Sequence, residues 1–191
     1  MRMRSALLVP ALASLLLGVC LATAPRAFAQ EEGDSLAAQR RIEAAYLYKF
    51  GAYITWPADA FSGPDSPFVI GVAADAGVLD ELTNLVAGRN INGRSVAVRR
   101  VHAGQSLAGI HLLFVAAGTD QSDALIAAAR DKPTVAVTEG ADGLERGADM
   151  TFVLVNDRVR FDVALDSAQR DGIKISSQLL SVADKVTGAK P

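Results

Sequence analysis

The sequence predicts an α/β fold: a single three-layer domain with a mixed, mostly parallel sheet of about six strands, flanked by helices and extended by a C-terminal antiparallel hairpin. Three observations carry this prediction. Phe68–Ala74, His111–Ala116 and Thr134–Val137 are short continuous apolar runs, as in strands covered on both faces. Segments with helical spacing alternate with them. Near the end the pattern switches to strict alternation, with Val159, Phe161 and Val163 set against Arg158, Arg160 and Asp162.

The elements follow in order. From Ser35 to Ile54 the residues Ile42, Ala45, Tyr46, Phe50, Tyr53 and Ile54 form one helical stripe, with Asp34 or Ser35 as N-cap. Pro57 halts that helix, because the residue before a proline is pushed out of the α region. Ser62, Gly63, Pro64, Asp65 and Pro67 make a loop, and Phe68–Ala74 is the first buried strand. Val78–Ala87 is a helix with Leu79, Leu82, Leu85 and Val86 inward, ended by Gly88. Asn92-Gly93 turns the chain into a strand over Val96–Val101. A strand at His111–Ala116, a helix at Asp120–Arg130 and a strand at Thr134–Val137 come next. Met150–Val155 and Arg158–Val163 flank Asn156-Asp157, a two-residue hairpin turn. Ala164–Arg170 is helical and Ile173–Ile175 extended. Ser176 or Ser177 caps a final helix facing inward through Leu179, Leu180, Ala183 and Val186, and residues 188–191 are a loose tail.

Residues 1–29 stand outside this domain. Arg2 and Arg4 make a positive start, Ala6–Ala24 is apolar, and Ala27-Phe28-Ala29 is the small-x-small site of a signal peptidase. We expect cleavage after Ala29, then an acidic lead-in over residues 30–34 and the domain over 35–187; a retained membrane anchor is the alternative. Lipidation would need a small residue before Cys20, where Val19 stands. Cleavage removes Arg2, Arg4 and Arg26, leaving 16 basic against 21 acidic residues, a net charge of −5. It also removes Cys20, the only cysteine, so the mature chain has no disulfide or Cys-ligated metal available. A mildly acidic chain does not suit nucleic acid as a partner. No later apolar run reaches the roughly 18 residues of a membrane span, so the expected product is a soluble periplasmic protein.

Catalytic motifs are missing. There is no G-x-G-x-x-G after a strand, no P-loop, no G-x-S-x-G and no H-E-x-x-H. His102 and His111, the only histidines, read as a strand end near solvent and a strand start. Thr138–Gly143 is Gly-rich but reads as a surface turn. No catalytic residue, metal or cofactor is expected, and the chain does not read as an enzyme. Seven of the eleven aromatic residues, however, lie between Tyr46 and Phe68. Tyr48, Ala52 and Trp56 form a second line at i, i+4, i+8 beside the main stripe, where a helix normally has a polar face. A second aromatic line suggests contact with another chain.

The segment Ile42-Glu43-Ala44-Ala45-Tyr46-Leu47-Tyr48-Lys49-Phe50, leading to Trp56-Pro57, resembles the opening of the YfiR family. Val159-Arg160-Phe161-Asp162-Val163 and Gly172-Ile173-Lys174-Ile175-Ser176-Ser177-Gln178-Leu179-Leu180 resemble its closing strand and final segment, with Gly88-Arg89, Gly93-Arg94 and His111–Val115 between them. Two departures stand out: Ile110 where relatives often carry a cysteine, and Ala164 where an Asn is common. The resemblance implies a periplasmic negative regulator that binds the sensor region of an inner-membrane diguanylate cyclase, lowering cyclic di-GMP and biofilm formation. It further implies sequestration by an outer-membrane-linked lipoprotein, and a homodimer. Tyr48, Trp56, Pro57 and Phe61 are the expected partner-binding anchors, with Arg160 and Asp162 on the hairpin as further candidates. A periplasmic small-ligand-binding domain, accessory to a membrane sensor kinase or transporter, is the alternative.

Overall fold

A computed structural model describes the backbone of residues 24–188 and the side chains from Gly33 to Gly188. The expected leader, residues 1–29, lies outside the described residues as far as residue 23, and the side chains of Ala27 and Ala29 lie outside them too. The chain divides after Leu36. In the first unit, residues 24–36 are helical backbone. The α/β architecture belongs to the second, from Ala37 onward.

Helix α1 is continuous over Ala24–Tyr53, so Asp34 and Ser35 lie inside it rather than capping it. Ala, Gln, Glu and Arg dominate the helix and favour it, against Gly33 and Gly51 in its interior. The helix stops at Tyr53, before Pro57 can act, because Ile54–Thr55 (β1) pairs antiparallel with Lys174–Ile175 (β9). Its inward face is also rotated from the expected stripe. Leu47 and Phe50 are fully buried and Ala44 and Glu43 nearly so, while Ile42 is 44% exposed. The acidic Glu43 on the buried face is what concealed the true stripe.

All six expected strands are present: β2 (Phe68–Ala73), β4 (Arg94–Arg100), β5 (Leu112–Val115), β6 (Val135–Glu139), β7 (Met150–Val155) and β8 (Arg158–Ala164). Two short strands, β3 (Asn90–Ile91) and β10 (Lys185–Thr187), complete an eight-stranded sheet of order β10-β8-β7-β6-β5-β2-β4-β3. The pairs β2–β4, β2–β5, β5–β6, β6–β7 and β8–β10 are parallel; β7–β8 and β3–β4 are antiparallel hairpins. Their turns, Asn92-Gly93 and Asn156-Asp157, have positive φ at both residues, the geometry that suits a two-residue hairpin. Helix α2 (Ala76–Val86) is capped by Asp75, which accepts from the Gly77 and Val78 N–H groups. Helices α3 (Ser122–Ala129), α4 (Leu165–Arg170) and α5 (Ser177–Leu180) complete the chain.

The sheet has two apolar faces, which makes three layers. On one, Ile70, Val72, Leu112, Phe114, Val135 and Val137 meet Leu47 and Phe50 of α1 and Leu82 of α2. On the other, Leu113, Val115 and Ala136 meet Leu125 and Ile126 of α3. Phe50 anchors the first core, with ring centroids 5.0 Å from Phe161 and 5.8 Å from Phe152.

The end of the chain corrects one expectation. The final helix is the single turn of α5, and residues 185–187 instead lie parallel to β8, with Val186 44% exposed. The β-branched Val186 and Thr187 suit a strand, and pairing with β8 satisfies their backbone groups.

Leu47→Ala should cost about 2–5 kcal/mol in chemical denaturation, as for other buried leucines. Ile42→Ala should stay within about 0.5 kcal/mol. The reverse order would restore the face expected from periodicity.

Candidate functional site

The aromatic cluster after α1 is built around His111. Once β1 peels away from the helix, Trp56 turns inward, 8% exposed, and its Nε1–H donates to the His111 carbonyl at 3.0 Å. Its ring meets Phe68 edge-on at 4.9 Å. His111, 3% exposed, accepts from the Val69 N–H at Nδ1 (3.0 Å), and its Nε2 lies 3.1 Å from the Ala60 carbonyl. The Nε2–H tautomer therefore satisfies both nitrogens. Burial, followed by the Arg94 charge, holds its pKa below the usual 6.5, although the bond to Ala60 pulls the other way. Only a neutral imidazole leaves Nδ1 free to accept from Val69 while Nε2–H donates to Ala60.

Phe61 lies on this base, stacked on the His111 ring at 4.2 Å and 18°. The Arg94 guanidinium sits 3.9 Å from the Phe61 ring centroid. Its Nη1 also reaches the carbonyls of Gly63 (2.9 Å), Pro64 (2.8 Å) and Ser66 (2.8 Å). One side chain thus ties the loop of residues 62–67 to the start of β4. Nearby, the Tyr48 hydroxyl donates to the Asn90 carbonyl at 3.1 Å, and Arg89 lies 5.6 Å from the Tyr48 ring. Tyr48, Arg89, Arg94 and Phe61 therefore line the α1–β3–β4 margin of the sheet. Tyr48, Phe61 and Arg94 are half-buried and Arg89 is exposed. Arg and Tyr are enriched at binding hot spots, and a guanidinium over an aromatic ring holds both in place.

The expected anchors divide accordingly. Tyr48 and Phe61 both lie along this margin, each beside an arginine. Trp56 does not belong among exposed anchors: it is buried, and its one polar atom is used inside the fold. The second helical line ends with it, since Trp56 lies beyond the helix. Pro57 is half-buried and lines a different hollow, with Asp59, Lys132, Arg170 and Asp171. Arg160 and Asp162 are not on a free wet edge, because β10 covers β8. Lys185 is the register partner of Asp162, and Arg160 approaches Asp184 at 3.8 Å and the Val182 carbonyl at 3.3 Å. Arg89 and Arg94 were missing from the expected anchors, although the paired Gly-Arg steps around the β3–β4 turn marked their positions. Among the described residues no three His, Cys, Asp or Glu side chains converge as a metal site, and no helix is long and apolar enough to cross a membrane.

Arg94→Ala should speed proteolytic cleavage within residues 62–67 severalfold while costing about 1–3 kcal/mol of global stability, the range for lost hydrogen bonds to a charged group. Unchanged cleavage would show that the loop is held by other contacts.

No curated protein matches the chain. The family model described as YfiR/HmsC-like matches residues 40–184, from the buried half of α1 to the start of β10. The chain belongs to the YfiR/HmsC-like family.

Proposed function

We propose that this protein is a periplasmic regulatory binding protein, exported through cleavage after Ala29, that represses an inner-membrane signalling protein by holding its periplasmic sensor region in the inactive arrangement. A diguanylate cyclase is the partner, so repression lowers cyclic di-GMP and biofilm formation. An outer-membrane-linked lipoprotein that sequesters the protein would relieve it. The observation that carries this reading is membership of a family associated with cyclic di-GMP regulation, over nearly the whole α/β unit.

The Tyr48–Arg89–Arg94–Phe61 strip supports it as the docking surface. It presents half-buried aromatic rings beside cationic side chains on a margin held by two hydrogen-bonded turns. No catalytic group is needed for such a role. Tighter binding to one of two partner states shifts the population, and switching a partner from mostly on to mostly off takes about 10⁴-fold preference, roughly 5.5 kcal/mol. Three or four anchors at about 2 kcal/mol each reach that figure.

Crosslinking in intact cells should recover a membrane diguanylate cyclase, and deleting the gene should raise cyclic di-GMP. The paired change Tyr48→Ala and Arg89→Glu should leave melting within a few degrees of the parent yet reproduce the deletion phenotype. Full repression by this folded variant would remove the strip as the interface. Unchanged cyclic di-GMP on deletion would remove the cyclase.

A further inference from the structure

A second feature lies where open α/β sheets most often bind ligands, at the carboxyl ends of parallel strands. Beyond β5 and at the end of β6, Ala117, Glu139, Gly140 and Ala141 form one wall of a cleft of about 340 Å³. Gln39 and Glu43 of α1 and Phe152, Val153, Leu154 and Val159 of the hairpin form the others. Two carboxyl groups enter this apolar space, and no lysine or arginine lines it. The Glu139 Oε2 accepts from the Ala117 N–H at 2.6 Å. Glu43 is 1% exposed; its Oε1 accepts from Gln39 at 2.8 Å, while its buried Oε2 accepts from nothing.

The energetics of such a pair are unfavourable when both groups are ionised. Burial first, then the charge of Glu139, pushes the Glu43 pKa up to about 8, opposed by the bond from Gln39 and by Arg40. Arg40 is itself held by Asp75. Hairpin strands β7 and β8 offer only apolar side chains to the cleft. At neutral pH Glu43 therefore keeps a proton.

We propose that this cleft binds a small organic cation, an aliphatic chain ended by a primary ammonium. The ammonium displaces the Glu43 proton and lies between Glu43 and Glu139 while the chain lies against Phe152, Leu154 and Val159. An ammonium brings three donors to a pair of carboxyl groups, and its chain matches walls that a hydrated metal ion would not use. The carboxyl pair also disfavours any ligand carrying its own carboxylate beside the amine. The displaced proton goes to solvent, so binding and deprotonation are linked.

The test is calorimetric titration of the protein with n-hexylamine at pH 6, 7 and 8.5, in buffers of different ionisation enthalpy. Affinity should rise by about tenfold per pH unit up to about pH 8, with close to one proton released at pH 7. Glu43→Gln and Glu139→Gln should each weaken binding at least tenfold at pH 8.5. Glu43→Gln should remain folded, because the raised folded-state pKa means that the native carboxyl loses stability as pH climbs toward 8. Between pH 6.5 and 8.5 the parent's melting temperature should therefore fall more than the variant's. No binding at about 10 mM amine, well above a millimolar Kd, would overturn the proposal. So would equal binding of n-hexanol, binding without proton release, or binding confined to a lysine-containing peptide.

Discussion

The buried face of α1 is the constraint on which the other features depend. Leu47 and Phe50 fix the helix against the sheet, and Phe50 is locked between Phe152 and Phe161. With those contacts set, the directions of the neighbouring side chains from Glu43 to Tyr53 follow from helical geometry. Glu43, one turn before Leu47, is driven into the cleft at the strand ends. Tyr48, next to Leu47, is left at the sheet margin. Trp56, just past the helix end, is delivered to the His111 carbonyl. One packed stripe thus positions a buried acid, a margin phenol and a core indole.

The cluster around His111 shows why aromatic density is an ambiguous signal. Trp56, Phe68 and His111 meet as edge and stacked rings inside the fold, and they contribute to stability through area buried and ring geometry. Only the outer layer, Phe61 under Arg94 and Tyr48 beside Arg89, remains available to a partner. The inner rings act on the surface indirectly. They hold Phe61 flat, and Arg94 fixes the loop that follows it.

Much of the fold was legible because short apolar runs and hairpin turns are local signals. Asn92-Gly93 and Asn156-Asp157 specify their turns through positive φ, and six strands announced themselves by composition. What escaped were features set by tertiary pairing. β1 is two residues long and exists only because it pairs with β9, a stretch that the sequence marked as extended without its partner. β10 reads as the continuation of a helix until β8 is there to bond it. The same holds at the sites. Tyr48 and Phe61 could be picked out as aromatics, and membership of the YfiR/HmsC-like family was visible in short motifs. The Glu43–Glu139 pair joins residues almost a hundred positions apart, one hidden within an apolar stripe and the other in what read as a surface turn. Nothing in the local sequence could bring them together.

The outermost strands have a consequence for crowded surroundings. One margin ends in the three residues of β10, the other in the two residues of β3, beyond which β4 carries Arg94, Arg99 and Arg100. Such brief, cationic rims offer a neighbouring molecule little backbone to add to. A protein built this way resists edge-to-edge growth into fibrils, leaving association to side chains rather than to the main chain.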